Sequence, residues 1–335
     1  MTAPSAASAT APSSSAPVLS VRDLRVSFSS RRGRAPVVTG VDLDVHAGET
    51  LAIVGESGSG KSVSMLAVLG LLPSHAVVEG SVEVDGEQVL GAGPERMRAL
   101  RGREVGMVFQ DPMTSLNPVL TIGRQVTEGL EERLGLSRRA ARDRAAELLA
   151  LVGIRDPQAR LDNYPHQFSG GMRQRVMIAI GLSLDPAVLI ADEPTTALDV
   201  TTQAQILDLV QDLQDRLGTA VVWVSHDLGV VAGIADRVVV MYSGEIVEQA
   251  PVDALYATPQ HPYTRGLLGA LPVLGERRAE LATIAGLPPD PVARPSGCWF
   301  APRCPIRAQA CVTAHPPLRE VGPGHLARTL CEVAP

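Results

Sequence analysis

A glycine-rich segment near the start of the chain constrains this protein more than any other feature. Residues 55–62 read GESGSGKS and match the pattern G-x-x-x-x-G-K-[ST] at every fixed position. The apolar run at 51–54 predicts a buried strand before it, and residues 63–72 predict the helix that follows. Glycines let the backbone curl until its N–H groups point inward, and the helix N-terminus adds a positive field. The segment therefore predicts a loop that binds the phosphates of a nucleotide.

The positions of this phosphate loop have separate expected roles. Backbone amides are expected to bind the phosphates around Gly55, Ser57, Gly58, Ser59 and Gly60. Lys61 is expected to reach the β- and γ-phosphates, and the hydroxyl of Ser62 is expected to hold Mg²⁺. The alternative is a flexible Gly/Ser loop, which is disfavoured because the Lys-Ser pair stands at the required place after a strand.

Composition excludes several classes of protein. Of 335 residues, 45% are hydrophobic and 20% charged, and the formal net charge is −6. The acidic balance argues against a nucleic-acid-binding protein. No apolar run approaches the ~18 residues of a membrane-spanning helix, so any membrane role is expected to come through partner subunits. Residues 1–17 are rich in Ala, Ser, Pro and Thr, which predicts a disordered tail and no secretion signal.

The segments around the phosphate loop indicate an α/β protein. Alternating apolar and polar residues at 18–28 and 37–45 predict an antiparallel sheet that leads into the loop. Phe28 stands at the end of the first strand, where its ring is suited to stack on adenine. Packing in the core or at its rim is the alternative, and both interpretations stay open.

The later segments divide the chain further. From residue 111 to about 160 apolar residues recur at helical spacing, which predicts a helical insert. Near residue 251 the composition changes, and ten prolines and all four cysteines follow between 287 and 335. The predicted organisation is a tail at 1–17, a nucleotide-binding domain at 18–250 with a helical subdomain at about 111–184, and a C-terminal extension at 251–335.

Polar side chains stand where predicted strands end. Asp192 and Glu193 follow the apolar strand at 188–191, which is where a parallel sheet places ligand groups. Asp192 suits the second carboxylate contact of a nucleotide-bound Mg²⁺, and Glu193 is placed to orient a water for in-line attack on the γ-phosphate. Gln110 and His226 also stand at strand ends, although such a residue taken alone usually has no function.

These features occur in a recognisable order. Gln110, the SGG signature at 169–171, Asp192-Glu193, ALD at 197–199 and His226 follow the phosphate loop. Over residues 18–250 the series resembles the nucleotide-binding subunit of ABC transporters. Three flanking segments resemble the dipeptide/oligopeptide (nickel) importer branch: QDPMTSLNP at 110–118, YPHQFSGGMRQR at 164–175 and HPYTR at 261–265.

The resemblance implies a fold and a set of roles for ATP and Mg²⁺. The implied fold class is α/β: a P-loop ABC ATPase core with an antiparallel β subdomain and a helical subdomain, plus a small Cys/Pro-rich C-terminal domain. Glu193 would be the catalytic base, Gln110 would sense the γ-phosphate and His226 would contact it from the side. Ser169, Gly170 and Gly171 would cap the ATP of an opposite subunit. The case for a functional role of Asp199 is weaker, since an aspartate at this position also suits a helix cap.

The resemblance also implies partners. They are two transmembrane permease subunits, a second ABC ATPase subunit, for which a paralogue is preferred, and indirectly an extracytoplasmic peptide-binding protein, with no nucleic acid. The expected location is the cytoplasmic face of the cell membrane. The expected solute is a di- or oligopeptide, with nickel or another small solute as the alternative.

Two other functions compete with transport. One is that of a soluble ABC ATPase of DNA repair or translation, and the other is that of a redox sensor that keeps the ATPase as a scaffold.

The cysteines allow several interpretations. Cys298, Cys304, Cys311 and Cys331 lie in a Pro-rich segment, which suggests a fold held by a metal. Zinc sites prefer closer Cys pairs, whereas a [4Fe–4S] cluster takes four thiolates at wider spacing. The segment is similar to the C-terminal extension of peptide-importer ATPases, some of which carry such a cluster. A [4Fe–4S] cluster is therefore favoured, and zinc, a disulfide and unligated thiols stay open.

Overall fold

A computed structural model describes residues 16–30, 33–196, 198–271 and 283–330 of the chain. Of the predicted tail, only Ala16 and Pro17 are among the described residues. Ala197 and Cys331 also lie outside the described residues. Within the described ranges, no helix is both long and apolar enough to cross a membrane.

Four strands form an antiparallel sheet in the spatial order β2-β1-β4-β5. Two of these strands precede the phosphate loop in the sequence and two follow it. Apolar side chains alternate along the long strands of the sheet, so that one face is buried while the other is exposed. The first two strands pair from Leu19 opposite Val45 to Ser30 opposite Gly33. The strands are β1 (Leu19–Ser30), β2 (Gly33–Val45), β4 (Ala76–Val84) and β5 (Glu87–Gln88).

The main sheet has eight strands in the order β11-β12-β10-β9-β3-β8-β7-β6. Strands β9, β3, β8, β7 and β6 run parallel, and β10 to β12 are antiparallel. The parallel strands at the centre are buried on both faces, which explains their continuous apolar runs. Their bounds are β3 (Thr50–Val54), β6 (Val105–Val108), β7 (Val188–Asp192), β8 (Ala220–Ser225), β9 (Arg237–Tyr242), β10 (Glu245–Pro251), β11 (Leu318–Gly322) and β12 (His325–Arg328).

Helices cover the main sheet and form the insert. Helices α3 to α7 lie in the part of the chain where helical spacing was expected, and α4 begins after Thr121, which caps it by accepting the N–H of Arg124. The helices are α1 (Lys61–Val68), α2 (Pro94–Arg103), α3 (Pro112–Ser115), α4 (Ile122–Leu134), α5 (Arg138–Leu151), α6 (Pro157–Arg160), α7 (Gly170–Leu182), α8 (Val200–Leu217), α9 (Leu228–Val231), α10 (Val252–Ala257), α11 (Pro262–Gly269) and α12 (Ala310–Thr313).

Strand β3 separates two hydrophobic clusters and thereby fixes the position of the loop that follows it. Leu51 and Ile53 face the cluster shared with the antiparallel sheet, whereas Ala52 and Val54 face the cluster under the helices. Because β3, β7 and β8 are parallel neighbours, their carboxyl ends meet at one edge of the sheet. The residues after these strands are therefore brought together.

The C-terminal residues continue the main sheet. Strand β12 pairs with β10, with Ala327 opposite Glu248. The buried carboxylate of Glu248 accepts the N–H groups of Gln260 and His261 at 2.6 and 2.8 Å, and lies 2.7 Å from Nε2 of His325. The sequence pattern did not predict the β11–β12 hairpin, and a separate Cys/Pro-rich domain stays a prediction.

Candidate nucleotide site

The phosphate loop needs glycine at its first position. Gly55 has φ +152°, and a Cβ there would overlap the carbonyl oxygen of Met241 and lie 2.9 Å from Oγ of Ser59. Gly60, at φ +102°, is the residue before helix α1. These two backbone conformations turn the chain sharply between β3 and α1.

Lys61 lies within the curve of the loop. Its Nζ donates to the carbonyl oxygens of Gly55 and Glu56 at 2.7 and 3.1 Å, and the residue is only 4% exposed. Burial lowers the pKa of Lys61, and the charges of Glu193, Asp192 and Glu56 oppose that shift. The ammonium group therefore lies where phosphate oxygens would be bound.

Ser62 and Asp192 bring two oxygens together from separate elements. Oγ of Ser62, in the first turn of α1, donates to Oδ1 of Asp192, at the end of β7, over 2.8 Å. Burial raises the pKa of Asp192, the hydrogen bond from Ser62 opposes this, and the charge of Glu193 adds to it. A hydroxyl and a carboxylate oxygen side by side fit the ligands that Mg²⁺ prefers.

Glu193 is the point at which several side chains meet. Its Oε2 accepts hydrogen bonds from Nε2 of Gln110 at 3.0 Å and Oγ1 of Thr196 at 2.9 Å, and lies 3.2 Å from Nδ1 of His226. Glu193 has φ +45°, a strained value for a residue other than glycine, and its N–H donates to the oxygen of Val224. The structure thus brings together the three predicted catalytic residues, and Thr196 is an additional partner that sequence reasoning missed.

The signature residues lie at the N-terminus of helix α7. Ser169 caps α7 by accepting the N–H of Met172 at 3.3 Å, and a Cβ on Gly171 would lie 2.6 Å from the methyl group of Thr202. Asp199 caps α8 by accepting from N and Oγ1 of Thr202, and these bonds lower the pKa of Asp199. Within the described residues, no hydrogen bond joins the signature to the phosphate loop of the same chain.

Phe28 lies at the far end of β1. It pairs with Ala35 and Ala76 on the neighbouring strands, is half-buried, and its ring centroid lies 5.7 Å from that of His75. A half-exposed ring at a sheet end fits both stacking on adenine and packing at the core rim, so both interpretations of Phe28 remain.

The C-terminal region reaches the phosphate loop at Glu56. The N–H of Glu56 donates to the hydroxyl of Tyr263 at 2.8 Å, and two guanidinium nitrogens of Arg303 lie 2.7 and 2.9 Å from its carboxylate oxygens. Sequence reasoning missed both contacts. Tyr263 belongs to the HPYTR segment noted above, but no pattern in the sequence indicates which residue it contacts.

The described cysteines surround one small cavity. Cys298, Cys304 and Cys311 line about 20 Å³ together with Thr329 and Leu330, the residues that precede Cys331. Burial raises the pKa of Cys298 to about 11 and also raises that of Cys304, so burial alone favours thiols over thiolates. Among the described residues, no three His, Cys, Asp or Glu side chains are grouped closely enough to hold a metal ion.

Comparison with known proteins gives the family. Residues 38–196 match the family model described as ABC transporter, and residues 247–311 match the one described as oligopeptide/dipeptide transporter, C-terminal region. The dipeptide transport ATP-binding protein DppD of Bacillus subtilis is 50% identical over 89% of this chain and 90% of its own length. The oligopeptide transport ATP-binding protein OppD of the same organism is 47% identical over 93% of this chain and 88% of its own.

A solved structure agrees with these matches. The ATP-binding cassette MJ0796, in a dimeric post-hydrolysis state bound to ADP and Pi, has a TM-score of 0.62 and 28% identity, and the match covers 70% of this chain and 98% of that one. The resemblance found in the sequence is therefore confirmed. The chain belongs to the ABC transporter ATPases, in the branch that carries the oligopeptide/dipeptide transporter C-terminal region.

Proposed function

We propose that this ATPase powers the uptake of di- or oligopeptides. The observation that carries the proposal is the match of residues 247–311 to the oligopeptide/dipeptide transporter C-terminal region, together with relatives whose names specify dipeptide and oligopeptide transport. In this proposal the solute crosses the membrane through the permease subunits, so no residue of this chain selects it. Import of nickel or another small solute by the same ATPase is therefore the alternative.

In the proposed mechanism, the loop amides and Lys61 bind the phosphates, and Ser62 and Asp192 would hold Mg²⁺. The metal would neutralise charge that develops on the phosphate oxygens. Glu193 accepts the proton of the attacking water. The contacts that Gln110, Thr196 and His226 make with one oxygen of its carboxylate support this role, because they fix the orientation of the group and leave the other oxygen for the water.

A second ATPase subunit completes each site. The signature residues Ser169, Gly170 and Gly171 begin α7 and make no hydrogen bond to the loop of their own chain within the described residues, which supports a role against the nucleotide of another subunit. A paralogue is the preferred partner. Closure of two such subunits on ATP and their opening after hydrolysis would be the step that drives transport.

The permease subunits would bind beside Gln110. Large apolar side chains are exposed on this part of the insert, with Met113 62% and Val119 76% exposed, and Phe109 and Tyr164 exposed as well. We assign these side chains to an interface with the permease, because exposed apolar patches are typical of protein interfaces, and such an interface would place the ATPase on the cytoplasmic face of the membrane. Met113→Asp and Val119→Asp should reduce co-purification with the permease, whereas Leu287→Asp, at an exposed apolar residue of the C-terminal region, should not.

The C-terminal cysteines would bind a [4Fe–4S] cluster. The cavity that Cys298, Cys304 and Cys311 line supports this proposal. The absence of a ready metal-binding group among the described residues favours the alternatives without a metal, which are a disulfide or unligated thiols, and zinc is the other alternative. Iron and acid-labile sulfide analysis of anaerobically purified protein distinguishes them. About four irons and four sulfides per chain are expected, and a colourless, iron-free protein would contradict the proposal.

Uptake measurements test the peptide assignment. Cells that lack their own peptide importers, and that carry this gene with its permease and binding-protein genes, are expected to accumulate labelled di- or oligopeptide. Lys61→Ala should abolish the accumulation. Uptake of nickel without uptake of peptide would support the ATPase role and contradict the assignment of peptide as the solute.

A further inference from the structure

Glu56, the second residue of the phosphate loop, is fixed at three points. Its carbonyl oxygen accepts from Nζ of Lys61 at 3.1 Å, and its N–H donates to the hydroxyl of Tyr263 at 2.8 Å. Its carboxylate forms a bidentate pair with Arg303 at 2.7 and 2.9 Å. Two of these partners come from the C-terminal region, more than 200 residues further along the chain.

Arg303 is held in place by its own surroundings. Its side chain is only 4% exposed, against 29% for Glu56. It donates to the carbonyl oxygens of Ala285 at 3.1 Å and Ile284 at 3.3 Å, and its guanidinium carbon lies 5.7 Å from the ring centroid of Tyr242. A bidentate arginine that is oriented in this way fixes both the position and the charge of its partner.

The charge matters because this loop binds a polyanion. Glu56 adds a negative charge next to the residues expected to bind phosphate, and that charge acts on Lys61, where burial lowers the pKa and the charges of Glu193, Asp192 and Glu56 oppose the shift. Arg303 supplies the compensating positive charge at hydrogen-bonding distance. Without it, the Glu56 carboxylate would repel the phosphates in a partly buried site where screening is weak.

A second contact supports the same loop further along. The N–H of Gly244 donates to the carbonyl oxygen of Ser59 at 2.9 Å. Arg294, also from the C-terminal region, donates to the carbonyl oxygens of Ser243 and Pro36 at 2.6 and 2.8 Å, and so fixes the turn that carries Gly244. The C-terminal region therefore supports the loop directly at Glu56 and indirectly at Ser59.

We propose that Arg303 and Tyr263 are positioning residues of the nucleotide site, through which the C-terminal region sets the shape and net charge of the phosphate loop and hence its affinity for ATP. The inference rests on the membership of the chain in the ABC ATPases and is independent of the solute that is transported. It gives the C-terminal region a role in ATP binding.

A charge-compensation cycle in the full chain tests the proposal, with equilibrium binding of Mg-ATP and the split between KM and kcat as readouts. Arg303→Met is expected to weaken ATP binding about tenfold, because it leaves the Glu56 carboxylate uncompensated. Glu56→Gln is expected to bind ATP at least as tightly as the unsubstituted chain. The ATP affinity of the double variant is expected to return to within about twofold of that of the unsubstituted chain. In all three variants kcat should change less than KM.

Two further variants separate positioning from folding. Tyr263→Phe, which removes only the acceptor of the Glu56 N–H, should weaken ATP binding by about threefold. Arg328→Met removes another guanidinium of the same region, one that donates to the carbonyl oxygens of Ile246 and Pro316, and should leave ATP binding unchanged.

Three results would overturn the proposal. The first is a double variant that binds ATP as weakly as Arg303→Met, and the second is an equal loss in Arg328→Met. The third is weaker ATP binding in Glu56→Gln, which would contradict the charge argument. This third result decides the question even if Arg303→Met does not fold. None of these results depends on whether the solute is a peptide.

Discussion

Nε2 of Gln110 lies 3.0 Å from Oε2 of Glu193, although 83 residues separate them in the chain. Gln110 follows β6 and Glu193 follows β7, and these strands are parallel neighbours, so their ends meet. Helix α3 begins two residues after Gln110. A displacement of the helical insert would therefore change the hydrogen bonding of the proposed catalytic base, which would connect the proposed permease surface to hydrolysis.

Glu193→Gln is expected to reduce ATP turnover by about 10²–10⁴-fold, because an amide cannot accept the proton of the attacking water. ATP binding should be retained, since Lys61 and the loop are untouched. Steady-state hydrolysis and nucleotide binding measure the two effects. Thr196→Val removes one of the partners of Glu193 and should cost less than about tenfold. If Glu193→Gln kept a tenth of the turnover, another group would have to be the base.

Gly171→Ala is expected to destabilise the protein by about 1–3 kcal/mol, because the new Cβ would lie 2.6 Å from the methyl group of Thr202. Thr202→Ser removes that methyl group and keeps the hydroxyl that donates to Asp199, so the double variant should recover most of the loss. Gly170→Ala is the matched control, because its Cβ would lie at an ordinary 3.7 Å from Leu198. Equal urea midpoints for the two alanine variants would show that the contact does not matter.

Glu248→Gln is expected to destabilise the C-terminal region by about 1–3 kcal/mol. The carboxylate is fully buried and accepts two backbone N–H groups, and a glutamine has only one acceptor oxygen for them. Urea denaturation followed by tryptophan fluorescence measures the change, since Trp299 lies in this region. Glu320→Gln, on the exposed strand β11, should shift the midpoint much less.

The pair of His315 and Glu245 should make stability depend on pH. Nε2 of His315 lies 2.9 Å from Oε2 of Glu245, and this bond raises the pKa of His315 against the effects of burial and of the charge of Arg328. A raised pKa means that the folded protein favours the charged form. The stabilisation is therefore complete below the usual histidine pKa of about 6.5 and is lost as the pH rises through the folded value.

Thermal unfolding between about pH 6 and pH 8 measures this component. His315→Gln is expected to remove it, and Glu245→Gln is expected to remove the same component by deleting the partner. If His315→Gln left the pH dependence of Tm unchanged, the pair would not contribute to it.

The grouping of the site residues at one edge of the sheet could be inferred from the sequence, because each of them lies beside a short segment with a clear strand pattern. The phosphate loop, Asp192, Glu193, Gln110 and His226 each stand next to a predicted strand, and parallel strands bring their ends to one edge. Helix α2 was not predicted, because only Met97 and Leu100 are buried along it and its apolar periodicity is weak.

The contacts of the C-terminal region could not be predicted. Glu56 and Arg303 lie 247 residues apart, and no spacing rule connects an acidic loop residue with an arginine next to a cysteine. The β11–β12 hairpin was missed for a similar reason: its strands are short, and it joins the sheet through the pairing of β12 with β10, a strand whose position depends on the whole sheet. Tertiary packing decides both features.

ATP turnover in membrane vesicles tests the central claim most directly. The vesicles would contain this chain, its partner ATPase and the two permease subunits, with or without binding protein loaded with di- or oligopeptide. Peptide-loaded binding protein is expected to stimulate turnover, and Glu193→Gln in this chain should abolish the stimulation. Turnover that ignores peptide and responds to nickel would contradict the peptide assignment, and a fully assembled complex without ATP turnover would contradict the proposed mechanism.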